Sequence, residues 1–302
     1  ASDVYKRQAQ FEFRKWMLEQ EGKPVRHTVT VDGSPNAVTL ELIRSGDALA
    51  SRLFSQFFPE GSHTLISANP KWIGTKGVEL GLLSSSQEAR GCEAPSWAFQ
   101  YCLNRKNFTG YVIYSEFGPS LQSPGGGALP MHEYFHNVQS QLIGKPGEND
   151  IRYPGDTTRA LLPAWWVEGT AEFAGFVMFA ELQKAKYSSF RDAMMSANPG
   201  MKPNENAIKD YEIRLGDGNG TIIYPYNVGR MAAEYLVASR GFQSVIDLHL
   251  DYRKSGNFRT SFQKIYGIEV DDFYEKFDRI RTKIGLPPIS MEVRGEKNFP
   301  KI

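Results

Sequence analysis

The residues best suited to chemistry in this 302-residue chain are His132-Glu133-Tyr134-Phe135-His136, an H-E-x-x-H string. On a helix the two histidines stand four positions apart, so both imidazoles leave one face and can share a metal ion. Neutral imidazole suits Zn2+, and a glutamate one position round the helix can act as general base toward an attacking water. The string requires a helix, and Pro130 suits a first helical turn, where its missing N–H costs nothing. On its own the string is ambiguous, because a surface helix with two solvated histidines would read the same way.

A catalytic zinc site takes three protein ligands and keeps one position open. His136 is followed by Asn137-Val138-Gln139-Ser140-Gln141, which excludes the third histidine of an H-E-x-x-H-x-x-G-x-x-H pattern. His27, His63 and His249 lie at no suitable spacing and read as packed or solvated residues. The third ligand is therefore expected to be a carboxylate. Downstream stands Leu162-Pro163-Ala164-Trp165-Trp166-Val167-Glu168-Gly169-Thr170-Ala171-Glu172-Phe173. Carboxylates in such apolar company should be paired or metal-bound, because unpaired buried charge is expensive. The plain alternative is an amphipathic helix with two exposed acids.

W-x-x-E-G-x-A-E after an H-E-x-x-H resembles the gluzincin peptidases, particularly the one-zinc aminopeptidase family and its smaller bacterial "peptidase MA-like" relatives. The resemblance implies a zincin-like fold, one Zn2+ per chain, Glu168 as third ligand and Glu172 as the acid that steadies a ligand histidine. Tyr224-Pro225-Tyr226-Asn227-Val228-Gly229 resembles the family's P-Y-x-x-G segment. That match makes Tyr226 the donor to the oxyanion, with Tyr224 as a rival and a packing role as the plain alternative. Three segments in the right order cover about residues 111–277. The activity implied is hydrolysis of a peptide or protein substrate, with Glu133 as base. The same resemblance leaves room for an inactive binding module or for a zinc hydrolase of a non-peptide bond.

Two departures limit the match. The stretch between His136 and Glu168 holds 31 residues, longer than in the aminopeptidases, and the excess falls in 144–162, a lid or an insertion. No G-A-M-E-N string is present, so aminopeptidase specificity does not carry over. Gly125-Gly126-Gly127 reads as a flexible linker.

The elements that must position these residues are expected to form an α+β arrangement. A small mixed β-sheet subdomain (9–127) precedes a mainly helical one (128–302), the two making one catalytic domain with the H-E-x-x-H helix at the join. His27–Val31, Asn36–Ile43, His63–Ala68 and Tyr111–Tyr114 read as strands, and Asp47–Phe58 as a helix. Five further helices are expected at about 130–143, 163–184, 226–240, 242–253 and 270–284. The strand 111–116 is a candidate sheet edge for adding a substrate strand, or an ordinary core strand.

With 35 basic and 34 acidic residues the chain lacks the footprint of a nucleic-acid binder, and no apolar run is long enough to span a bilayer. Cys92 and Cys102 lie in a segment that reads as a loop and could close a disulfide in an oxidising compartment. An extracytoplasmic or secreted location is the expectation that follows. Asp3-Val4-Tyr5-Lys6-Arg7-Gln8 resembles a translated library-preparation adapter, so residues 1–8 are expected to be non-native and carry no expectation about the fold.

Overall fold

The computed structural model describes residues 2–20, 24–83, 99–104, 108–113, 126–144, 162–197, 207–212 and 225–284. The architecture is α+β, with helices far outnumbering strands. The chain opens with α1 (Ser2–Glu19), β1 (His27–Val31), α2 (Ala37–Phe54), β2 (Ser62–Ser67) and α3 (Pro70–Glu79). Strands β3 (Phe99–Asn104) and β4 (Phe108–Ile113) complete a sheet of order β1-β2-β4-β3. Strands β1, β2 and β4 run parallel, and β3 pairs antiparallel with β4. Helix α2 is the crossover that parallel β1 and β2 require.

Then come α4 (Leu129–Ile143), α5 (Ala164–Leu182), α6 (Tyr187–Ala197), α7 (Tyr226–Arg240), α8 (Gln243–Ser255), α9 (Phe258–Tyr266) and α10 (Val270–Ile280). Helix α5 is the axis of this layer: it is apolar on all sides and buried almost throughout, with α4 and α7 packed on it. Its tryptophans anchor the later helices. Trp165 stacks on Phe273 and donates to Tyr274 Oη at 2.9 Å, while Trp166 donates to His249 Nε2 at 3.3 Å. Gly256 and Gly267, both left-handed, end α8 and α9.

The five expected helices of the second part are present, and α6 and α9 are additions to them. Two expectations for the first part are corrected. Asn36–Ile43 is helical, not extended: Asn36 Oδ1 accepts from the amides of Val38 and Thr39, and α2 runs unbroken to Phe54. Gly46 lets α2 approach α4; a Cβ there would stand 3.2 Å from Pro130 Cβ. Of the two readings of the strand containing Tyr111, the core strand holds, because β3 covers its outer side. Cys102 therefore lies in a strand instead of a loop, and Cys92 falls outside the described residues.

Residues 2–8, which resemble adapter sequence, form the first turns of α1. Lys6 Nζ is 2.9 Å from Asp192 Oδ1, and the Tyr5 ring sits 5.4 Å from that of Tyr235. Further along α1, Phe13 and Trp16 enter the core against Phe242. The main apolar cluster runs from α1 through α2 to α10, and a smaller one of Ile43, Ile66 and Tyr111 lies between α2 and the sheet. No helix among the described residues is long and apolar enough to cross a membrane.

Candidate metal centre

Helix α4 is held on the sheet by side chains of its first two turns. Tyr111 Oη donates to the Pro130 carbonyl at 2.9 Å, and Tyr134 Oη shares a 2.8 Å hydrogen bond with Ser62 Oγ. Its opposite face meets α5, where glycine allows the contact: a Cβ on Gly175 would fall 2.9 Å from the His132 backbone nitrogen. Gly127 is also packed, with no room for a Cβ beside the Phe179 ring, so Gly126 and Gly127 belong to a helical turn and not to a flexible linker. Gly125 lies outside the described residues.

These contacts bring His132 and His136 of α4 to Glu168 of α5, and all three are buried. His132 Nε2 and His136 Nε2 stand 3.0 Å apart. Glu168 Oε2 lies 3.2 Å from His136 Nε2 and 3.6 Å from His132 Nε2. Atoms bound at about 2.0–2.1 Å to a tetrahedral Zn2+ stand about 3.3 Å from one another. The three separations bracket that value, so the donor set fits a metal ion by size as well as by chemistry. Two imidazoles and one carboxylate are donors that zinc and other divalent transition metals accept.

The electrostatics favour a cation at the same spot. Burial alone would lower the His132 pKa, but Glu133, Glu168 and Glu172 outweigh it and raise the imidazole to about 9. Burial would likewise raise the Glu168 carboxyl, yet the charges and hydrogen bonds of His136 and His132 hold it well below the usual carboxylate range. Positive charge, whether proton or metal ion, is stabilised between these groups.

Glu172, one turn beyond Glu168, places Oε1 3.6 Å from His132 Nδ1, on the imidazole nitrogen that faces away from the cluster. Glu133 is buried beside His132 and exerts the largest charge effect on it. The Tyr226 ring, at the start of α7, has its centroid 6.2 Å from that of His132, whereas Tyr224 lies outside the described residues. Helices α5 and α7 touch backbone to backbone: a Cβ on Gly169 would stand 2.1 Å from the Gly229 carbonyl carbon. His132, His136 and Glu168 thus converge on one point, with Glu133, Glu172 and the Tyr226 ring beside His132.

One residue of the site was missed. Gln139, one turn beyond His136, places Oε1 2.7 Å from His136 Nδ1. A polar amide at i+3 from a ligand histidine was the available signal. His27, Ser62 and Asp47 also form a polar group, with His27 Nδ1 2.7 Å from Ser62 Oγ and His27 Nε2 3.7 Å from Asp47 Oδ2. Ser62, at the start of β2, and Asp47, on α2, are buried, so a substrate has no access to this arrangement. Compared with protein-family models, curated proteins and solved structures, the chain gives no match.

Proposed function

We propose that this chain is a zinc-dependent metallopeptidase with a zincin-like catalytic domain. The observation that carries the reading is the buried convergence of His132, His136 and Glu168 at 3.0–3.6 Å beside Glu133. A resident zinc would lower the pKa of water and polarise the scissile carbonyl. Glu133 takes the proton from the attacking water and passes it to the leaving amine. Tyr226 donates its phenol proton in a hydrogen bond to the developing oxyanion. Glu172 steadies His132, so that its Nε2 faces the ion. The described sheet edge at β3, antiparallel to its neighbour, is the place for a substrate backbone to add as a further strand.

The decisive experiment pairs zinc content with peptidase assays of the wild type and Glu133→Gln. About one zinc per chain in both, with casein cleavage lost in the variant, supports the reading. Zinc without cleavage of any peptide would leave a binding module or a hydrolase of another bond.

A further inference from the structure

The hydrogen bonds around Gln139 have only one consistent assignment. The Val167 carbonyl, which can only accept, lies 2.9 Å from Gln139 Nε2. Thr170 Oγ1 lies 2.8 Å from the same nitrogen, and its own proton goes to the Trp166 carbonyl at 2.8 Å. The amide nitrogen therefore faces two acceptors, and the amide oxygen must face the other way, toward His136 Nδ1. An amide oxygen only accepts, so His136 Nδ1 carries a proton and Nε2 is the nitrogen that turns to Glu168 and His132.

We propose that Gln139 is the positioning residue of the metal centre, holding His136 as the Nδ1–H tautomer and tying α4 to the turn of α5 that carries Glu168. This rests on the metallopeptidase reading. Val167 and Thr170 bracket Glu168 in the chain, so the amide joins the second and third ligands through a single side chain. Gln139 and Thr170 are both buried, and no water replaces a bond that is broken there. Turning the His136 ring over would set a carbon against Gln139 Oε1 and withdraw Nε2 from the cluster. Sliding α4 along α5 would break the contacts to Val167 and Thr170.

Gln139→Met keeps the length of the side chain and removes both functions; Gln139→Glu keeps the acceptor for His136. Long-range 15N–1H correlation spectra of the metal-free proteins report the His136 tautomer, and competition with a chromogenic chelator reports zinc affinity. Wild-type His136 should be protonated on Nδ1. The Met variant should lose that preference and bind zinc about 10–100-fold more weakly, and the Glu variant should keep the tautomer and lose less affinity. A folded Met variant with the wild-type tautomer and affinity within about threefold overturns the proposal. If that variant does not fold, wild-type His136 protonated on Nε2 alone overturns it. A wild type that takes up no zinc fails the metallopeptidase reading first, which separates the two failures.

Discussion

Replacing Gly169 by alanine should separate two helices that touch through their backbones. The added Cβ would sit 2.1 Å from the Gly229 carbonyl carbon and 2.3 Å from its oxygen, where ordinary contact begins at 3.4 Å. Helix α7 must therefore retreat by about 1.3 Å, and because the obstacle is backbone, no rotamer change relieves it. Overpacking of this kind costs about 3 kcal/mol, which in a chain of this size lowers Tm by about 5–10 °C. Tyr226 stands three residues before Gly229 on α7 and moves with it, whereas His132, His136 and Glu168 belong to α4 and α5. Zinc affinity should stay within about threefold of wild type while kcat falls about 100-fold, the usual result of a misplacement near 1 Å. Thermal unfolding, chelator competition and peptidase kinetics on one preparation test all three. Wild-type Tm and kcat together would refute the close approach of α5 and α7 and the role given to Tyr226.

Glu168→Ala should lose most bound zinc while remaining folded, as read by elemental mass spectrometry and circular dichroism. Glu133→Gln should keep zinc and lower kcat by about 10²–10⁴-fold, since only the proton carrier is removed. Zinc binding displaces the proton that His132 holds up to about pH 9. Below that pH, affinity should fall about tenfold per pH unit, with one proton released per zinc in calorimetry across buffers of different ionisation enthalpy. The same proton stabilises the metal-free fold below the ordinary histidine pKa, and that contribution is lost as pH rises through about 9. His249 behaves oppositely: burial lowers it to about 4, so the unfolded chain binds the proton first as pH falls. Stability should drop by about 3 kcal/mol between the ordinary histidine pKa and pH 4. Urea unfolding should show that slope flattened in His249→Gln, and parallel slopes would refute it.

The helical half was legible because its signals are local. Pro130 and Pro163 mark the starts of α4 and α5, and the spacing of His132 from His136 and of Glu168 from Glu172 presupposes those helices. The first half resisted for a physical reason. Val38, Thr39, Leu40 and Ile43 favour a strand locally, but the Asn36 cap and the burial of one face against α4 decide for a helix. That β4 is interior depends on β3, whose own residues looked like a loop around Cys102. For Gln139 the spacing from His136 signals only half of its role, because the other half lies in contacts to Val167 and Thr170, 28 and 31 positions away.

The packing of α1 has a consequence for synthesis. Its Phe13 ring meets Phe242 at 4.5 Å, and Trp16 donates to Gln243 at 3.0 Å. A ribosome adding about 5–20 residues per second needs about 10–45 s to make the partner after the helix has emerged. During that interval Trp16 has Phe54 as an early partner, 5.2 Å away, but the side of α1 that meets Phe242 is uncovered. The nascent chain therefore exposes this face to water or to transient contacts until α7 and α8 arrive.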